Sequence, residues 1–246
     1  MSTDHPTLVY EDDAVQLWHG DCAAVLPSIE EFDHVLTDPP YDEETHRGAR
    51  SDLRSEYGVR FAPLDDPAAL ASALQPRRWA LVFCSIEMLG TYRRAAADRW
   101  VRSGIWDRID GAPQFSGDRP AQAVEGIAIW HAAGAKRWNG GGKRGIWRCG
   151  IVRGEERVHE TQKPLALMRD LILDFTDVGE TIFDPFAGSG TTGVAAKICG
   201  RKAVLFEIDG GRCALAARRL AEASIDERIA RVPDQRARQG ALVFNA

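Results

Sequence analysis

The sequence predicts an α/β fold built on a mostly parallel sheet with helices on both faces. Apolar runs of strand length alternate with segments of helical periodicity through most of the chain. A glycine turn at Gly188 and Gly190 follows one apolar run and precedes a helical segment, as ligand-binding turns do at the carboxyl edge of parallel sheets. The 246 residues, 44% of them hydrophobic, suffice for one sizeable core and are too few for two catalytic domains.

The strands and helices follow from the apolar pattern in chain order. The predicted strands cover residues 14–19, 33–37, 79–84, 100–106, 124–130, 181–183 and 203–206. The predicted helices cover residues 67–74, 164–175, 191–199 and 212–223. Asp65 and Asp66 can cap the first of these helices, a proline at a tolerated first-turn position opens the second, and Gly200 ends the third.

Two polar stretches interrupt this alternation. Residues 42–60 carry few apolar side chains, which predicts a long functional loop. Residues 109–158 are irregular and rich in Gly, Arg and Trp, so we expect an inserted recognition region there. The expected organisation is a catalytic part of the core at 1–108, the inserted region at 109–158, and a cofactor-binding part of the core at 159–246.

Composition limits the cellular setting. Residues 1–13 lack the basic start and apolar run of a signal peptide, and no apolar stretch approaches the ~20 residues that span a bilayer. The five cysteines are scattered and form no CxxC pair, which argues against a zinc site and favours a reducing compartment. We therefore expect a cytoplasmic protein without a membrane or metal partner.

The net charge of −5 hides an uneven distribution, because residues 93–158 carry 13 Lys and Arg against 7 Asp and Glu. Within them, residues 131–154 contain six cations, two tryptophans and no carboxylate. Such cations can meet phosphates and such aromatic rings can wedge or stack between bases. The alternative is a solvated basic loop with buried tryptophans. The predicted DNA contacts are Lys136, Arg137, Trp138, Lys143, Arg144, Trp147 and Arg148, with Arg119 as a further candidate.

The glycine turn and the strand after it suggest a nucleoside-like ligand. Gly188 and Gly190 allow the backbone to turn sharply and to approach a ligand closely. A phosphate-binding loop is disfavoured because no GxxxxGK[ST] is present. Glu207 ends the next strand, where a carboxylate can accept hydrogen bonds from both hydroxyls of a ribose. The alternative for Glu207 is an exposed charge at a strand end.

A rigid corner follows the strand at 33–37. Asp38, Pro39, Pro40 and Tyr41 come directly after it. The two prolines fix φ and have no backbone N–H groups. The local carbonyl groups therefore point in fixed directions and can accept hydrogen bonds from a ligand. The alternative is a simple strand-ending turn with a packed tyrosine.

Together these motifs resemble those of the amino-directed DNA methyltransferases. TDPPY at 37–41, ETQKP at 160–164 and FDPFAGSGTT at 183–192 stand in the order of that family's permuted β-group, and the likeness extends from about residue 19 to 220. One departure is that the family usually has HPTQKP, whereas Glu160 follows His159 here. The resemblance implies the Rossmann-like, class I S-adenosylmethionine (SAM)-dependent methyltransferase fold, and methyl transfer from SAM to an amine of a DNA base.

The resemblance also assigns roles to residues. Asp38, Pro39, Pro40 and Tyr41 would be catalytic, with Asp38 and the Pro39 carbonyl accepting the amine N–H groups and Tyr41 stacking on a flipped base. Asp184 would lie near the SAM amino group, Glu207 on the ribose, Asp21 at the adenine amine, and Lys163 with Pro164 over the methionine part. Taken alone, Lys163 could equally be a solvated lysine at a helix start. The predicted cofactor-binding residues are Asp21, Cys22, Lys163, Asp184, Phe186, Ala187, Gly188, Ser189, Gly190, Thr191, Thr192, Glu207 and Ile208.

In this family DPPY accompanies adenine N6 and SPPY accompanies cytosine N4, so the resemblance favours a site-specific adenine-N6 methyltransferase of double-stranded DNA. The alternatives are N4-cytosine transfer, a catalytically silent DNA-binding subunit, and an RNA or protein-glutamine methyltransferase. A nicotinamide dehydrogenase would need GxGxxG after the first strand, where it is missing. The family further implies a prokaryotic or phage protein at the nucleoid, with or without a partner restriction enzyme, and leaves a homodimer open.

Overall fold

One mixed sheet organises the part of the chain that the computed structural model describes, which comprises residues 5–24, 32–40, 67–111, 113–154 and 162–230. Tyr41, His159 and the predicted loop at 42–60 lie outside these residues. The strands run in the order β1-β2-β9-β8-β3-β4-β6-β5-β7 across the sheet. They are β1 (Thr7–Glu11), β2 (Val15–His19), β3 (His34–Thr37), β4 (Trp79–Cys84), β5 (Trp100–Asp107), β6 (Val124–His131), β7 (Ile146–Arg148), β8 (Thr181–Asp184) and β9 (Lys202–Glu207).

Helices cover both faces of the sheet. Leu167, Val194 and Leu220 bring three of them into one hydrophobic core, and Leu70 and Tyr92 bring two others into a second core on the opposite face. This arrangement confirms the predicted α/β class. The helices are α1 (Pro67–Ala73), α2 (Leu89–Ala96), α3 (Leu165–Phe175), α4 (Thr191–Ile198), α5 (Gly210–Glu222) and α6 (Glu227–Ala230).

The predicted inserted region contributes to the sheet itself. Strand β6 lies between β4 and β5 and pairs with both in antiparallel register. The described residues of 109–158 therefore include two strands of the sheet, β6 and β7, with the connections beside them. All seven predicted strands and four predicted helices are present, whereas β1, β7, α2 and α6 were not predicted.

Strand direction divides the sheet into two functionally different edges. Strands β2, β9, β8, β3 and β4 are parallel, so their last residues meet at one edge, which we call the carboxyl edge, and their first residues at the amino edge. β3 and β8 are neighbours, yet β3 leads to β4 on one side and β8 leads to β9 on the other. Ligands of open α/β sheets bind at such a switch point.

The antiparallel strands also reach the carboxyl edge. Cys84, the last residue of β4, pairs with Gly126 near the start of β6, and Asp107, the last residue of β5, pairs with Val124 and Arg148. The connection 108–123 therefore leaves and re-enters the sheet at the carboxyl edge. Among the described residues, no helix is long and apolar enough to cross a membrane, and no group of three or more His, Cys, Asp or Glu side chains could hold a metal ion.

Candidate active site

A hydrogen bond joins the two predicted motifs at the switch point. Oγ1 of Thr37, at the end of β3, donates to Oδ1 of Asp184, at the end of β8, at 2.6 Å. Asp184 is buried and also accepts from Thr192 Oγ1 at 2.5 Å and from the Phe186 amide at 3.0 Å. Burial raises the pKa of Asp184 to about 6, although these donors oppose the rise. The carboxylate thus ties the start of α4 to β3, next to Asp38.

The turn between β8 and α4 leaves space for a ligand. Gly188 has φ +55° and Gly190 has φ +77°. A Cβ on Gly188 would meet no described atom within 4 Å, whereas one on Gly190 would lie 2.9 Å from the Ala216 Cβ in α5. A Cβ on Gly193 would lie 2.5 Å from Leu205 Cδ1 in β9. Gly188 therefore borders open space, while Gly190 and Gly193 allow α4 to pack closely.

Glu207 turns its carboxylate toward this glycine turn. The Gly188 amide donates to Oε2 at 2.7 Å, and the Asp209 amide donates to Oε1 at 2.8 Å. The residue is only 6% exposed, and burial raises its pKa although both amides oppose the rise. Glu207 is thus a buried carboxylate in the site, and the alternative of an exposed strand-end charge is wrong.

The other predicted cofactor residues lie at the same edge of the sheet. Strand β2 lies beside β9, with His19 opposite Glu207, so Asp21 and Cys22 follow β2 at the carboxyl edge. Asp21 is half-buried and accepts from the Ala23 amide at 2.8 Å, whereas Cys22 is buried. Ile208 follows β9 directly. The remaining predicted residues form the turn and the first turn of α4: Phe186, Ala187, Ser189, Thr191 and Thr192.

Lys163 contacts the predicted catalytic carboxylate. Its Nζ donates to Asp38 Oδ2 at 2.6 Å and lies 3.0 Å from Glu125 Oε2 in β6. The side chain is only 9% exposed. Burial alone would lower the pKa of Lys163, but Asp38 and Glu125 outweigh that effect and raise it. Lys163 is therefore a buried cation and not a solvated lysine at a helix start. Its ammonium group forms an ion pair with Asp38.

Arg219 is a site residue that the sequence reasoning missed. From α5, its Nη1 donates to the Ser189 carbonyl at 2.6 Å, to Ser189 Oγ at 2.9 Å and to Thr191 Oγ1 at 3.1 Å. Burial lowers the pKa of this guanidinium. Arg219 lies three residues after the buried Ala216, on the stripe of α5 that faces the core. The sequence could have indicated this position of Arg219, because residues three apart lie on the same face of a helix.

Most of the predicted DNA-binding cations lie away from Asp38. Lys136, Arg137, Lys143 and Arg144 are exposed in the connection that leaves β6 at the amino edge. Lys143 pairs with Asp174 at 2.6 Å, and Arg137 pairs with Asp177 at 3.0 Å. Both carboxylates lie at or just past the end of α3, whereas Lys163 precedes its start. The eleven residues of α3 separate the two places by about 16 Å.

The two tryptophans predicted to stack on bases pack against the protein core. Trp147 is only 6% exposed, and its Nε1 donates to Asp174 Oδ2 at 3.0 Å. Trp138 is half-buried, with its ring edge-to-face on Phe175 at a centroid distance of 4.7 Å. The alternative of a basic loop with buried tryptophans describes this segment better. Arg148, at the end of β7, and Arg119, in the 108–123 connection, are exposed at the carboxyl edge.

The fold and its switch-point site define a Rossmann-like, class I methyltransferase. The crystal structure of the M1.HpyAVI–SAM complex is similar to this chain with a TM-score of 0.66 and 25% identity, over 84% of this chain and 98% of that one. The family model described as DNA methylase, which covers N6 and N4 methyltransferases, matches residues 32–218. The chain therefore belongs to the N6/N4 DNA methylase family, which confirms the resemblance found in its motifs.

Two relatives show how far the sequence likeness extends. The type II methyltransferase M.HinfI of Haemophilus influenzae is 25% identical over 245 aligned residues, covering 82% of this chain and 67% of that protein. The DNA adenine methyltransferase YhdJ of Escherichia coli (strain K12) is 41% identical over 82 residues, covering 32% of this chain and 28% of that protein. The stronger identity is thus confined to a shorter part of the chain.

Proposed function

We propose that this protein transfers a methyl group from SAM to the N6 amine of adenine in double-stranded DNA. The observation that carries the proposal is the junction of Thr37 with Asp184, which brings Asp38 next to the glycine turn. Membership of the DNA methylase family supports DNA as the substrate. The sequence DPPY and the likeness to a DNA adenine methyltransferase favour adenine over cytosine.

The residues around the glycine turn fit SAM. A Cβ on Gly188 would enter open space, so the turn leaves room for a ligand. Asp21 and Glu207 provide carboxylates there, and SAM carries a cationic ammonium and a cationic sulfonium beside its ribose hydroxyls. Glu207 would hold the ribose, Asp21 the adenine amine and the turn the methionine part. Asp184, whose oxygens already accept from Thr37, Thr192 and an amide, would shape the turn.

Asp38 and the Pro39 carbonyl would activate the target amine. The lone pair of an exocyclic amine is delocalised into the base, so the free amine is a weak nucleophile. When two fixed acceptors each take one N–H, a pyramidal nitrogen is favoured and its lone pair is directed away from the ring. The Asp38 carboxylate would also stabilise the positive charge that develops on this nitrogen. SAM, when bound, would supply a methyl group made electrophilic by the sulfonium. The carbon–sulfur bond would break as the carbon–nitrogen bond forms, so S-adenosylhomocysteine would leave and the extra proton of the amine would pass to solvent.

The target base must leave the duplex to reach this corner, at a cost of a few kcal/mol. DNA would then approach the carboxyl edge, where Arg119 and Arg148 are exposed and where the 108–123 connection emerges. The more basic connection that carries Lys143 and Arg144 leaves β6 at the other edge of the sheet. We therefore assign phosphate contacts to Arg119 and Arg148.

Methylated nucleosides identify the reaction and the base. Duplex DNA incubated with the purified protein and SAM would be digested to nucleosides and analysed by mass spectrometry. We expect N6-methyl-2′-deoxyadenosine as the product, and a reaction without SAM serves as the control. N4-methyl-2′-deoxycytidine would identify cytosine as the target base, and the absence of any methylated nucleoside with every duplex would overturn the proposal.

Two double variants test the DNA-binding edge. Arg119→Gln with Arg148→Gln removes two cations from the carboxyl edge, and Lys143→Gln with Arg144→Gln removes two from the other segment. Each lost phosphate contact reduces the slope of log K against log salt by about 0.9. We expect a shallower slope for the first pair and an unchanged slope for the second, measured by fluorescence anisotropy. If only Lys143→Gln with Arg144→Gln made the slope shallower, the phosphate contacts would lie in the segment that carries Lys143 and Arg144.

A further inference from the structure

Four charges of alternating sign extend from Asp38 into the sheet. Lys163 Nζ lies 2.6 Å from Asp38 Oδ2 and 3.0 Å from Glu125 Oε2. Arg108 Nη1 in turn lies 3.3 Å from Glu125 Oε1. Asp38 follows β3, Lys163 precedes α3, Glu125 belongs to β6 and Arg108 follows β5. The group therefore joins four separate elements at the carboxyl edge.

The surroundings keep the Lys163 ammonium in place. Its Nζ lies 4.9 Å from the ring centroid of Phe83 and 5.7 Å from that of Trp106. The side chains of Lys163 and Glu125 are 9% and 16% exposed. A buried cation is costly unless carboxylates or aromatic faces offset the lost hydration. The ammonium is therefore confined between two rings and two carboxylates.

We propose that Glu125 is a positioning residue for methyl transfer, which holds the Lys163 ammonium against Asp38 and thereby fixes the rotation of the carboxylate that accepts the target amine. This inference rests on the proposed function. A carboxylate offers about four lone-pair sites on its two oxygens. The hydrogen bond from Lys163 to Oδ2 therefore orients the group and leaves acceptor capacity for an amine N–H.

Glu125 also sets the charge balance of the site. Lys163 by itself would neutralise Asp38 and weaken its attraction for the positive charge that develops on the amine. With Glu125 included, the Lys163 ammonium is shared between two carboxylates, so its positive charge is not directed at Asp38 alone. Arg108 anchors Glu125 and donates to the Gln122 carbonyl at 2.6 Å, so the cluster is also tied to the 108–123 connection.

Glu125→Gln tests this role because it removes the charge and keeps the shape. Glu87→Gln is the matched control, since Glu87 is exposed in the turn after β4 at the same edge. The first measurement is acetylation of lysines in the ligand-free proteins, with Lys136 as the internal reference. We expect Lys163 to be acetylated faster in Glu125→Gln only, because its ammonium is held less firmly. An unchanged Lys163 rate would overturn the inference.

The second measurement separates transfer from binding. Under single-turnover conditions with saturating SAM and duplex DNA, we expect Glu125→Gln to slow transfer roughly tenfold, about the effect of losing one hydrogen bond between charged groups. The dissociation constants for SAM and DNA should stay unchanged, as should all constants of Glu87→Gln. Unchanged transfer in Glu125→Gln, or an equal loss in both variants, would overturn the inference. If the wild-type protein transfers no methyl group, the proposed function fails, while the acetylation result still reports whether Glu125 holds Lys163.

Discussion

The hydroxyl of Thr37 donates to the carboxylate of Asp184 at 2.6 Å, across two neighbouring parallel strands that are 147 residues apart in sequence. This bond connects the motif that holds Asp38 to the motif that forms the glycine turn. The hydrogen bond and the burial of Asp184 act in opposite directions on its pKa, which burial raises to about 6. Because the folded pKa exceeds the ordinary value, deprotonation destabilises the folded protein as the pH rises through about 6.

Thr37→Val should make this destabilisation larger. The variant removes a donor that favours the charged form of Asp184, so the pKa rises further and the buried carboxylate loses about 1–3 kcal/mol of hydrogen bonding. We expect the free energy of unfolding of the ligand-free protein to fall more at pH 8 than at pH 5. Urea unfolding at both pH values measures it. Equal losses at the two pH values would show that the bond does not depend on the charge of Asp184.

Alanine at Gly188 and at Gly190 should have different effects. Both positions have positive φ, which costs a residue with a Cβ roughly 1–2 kcal/mol. At Gly190 the new Cβ would also lie 2.9 Å from Ala216, so we expect Gly190→Ala to lower the Tm strongly. Gly188→Ala should lower the Tm less, yet weaken SAM binding, because its Cβ enters the ligand space. Thermal unfolding and calorimetric titration with SAM separate the two effects, and normal SAM binding by Gly188→Ala would contradict the assignment of the turn.

Glu180 should contribute to stability in a defined pH range. Burial opposes its ionisation, but hydrogen bonds from His34 at 2.7 Å and from the Asp177 amide at 2.6 Å outweigh burial and lower the pKa of Glu180 to about 2. This stabilisation is complete above the ordinary pKa and is lost as the pH falls through about 2. Glu180→Gln should therefore lower the free energy of unfolding at pH 7, by about 1–2 kcal/mol once solvent screening of this partly exposed group is allowed for.

The difference in unfolding free energy between Glu180→Gln and the wild type should shrink as the pH is lowered from about 4.5 toward 2. Urea unfolding at a series of pH values measures it. A difference that stays constant over this range would mean that Glu180 acts through shape and not through its charge.

The sequence predicted the fold class, the turn at Asp38 and the glycine turn after Asp184, because each of them depends on a short stretch of sequence. The apolar runs that became β3 and β8 end in Asp38 and Asp184, and parallel strands place such ends together. Strand β1 was not predicted: Thr7–Glu11 is largely exposed at the sheet margin, so its pattern lacks the apolar alternation of a buried strand.

The position of the basic segment could not be predicted from its composition. Charge counts carry no information on strand direction, and the reversal of β6 takes Lys143 away from the edge that holds Asp38. Glu125 was missed for a related reason. It reaches Lys163 across 38 positions of sequence and belongs to no motif, so only the pairing of β6 with β4 and β5 brings it to the site.

Methyl transfer by Asp38→Asn is the most direct test of the account. The amide keeps the size of the side chain but removes the charge and one of the two acceptor oxygens. We expect SAM affinity close to that of the wild type and a single-turnover rate lower by about 100-fold or more, measured with SAM labelled in its methyl group and duplex DNA. A rate near that of the wild type, with SAM bound equally well, would contradict the assignment of Asp38 as the acceptor of the target amine.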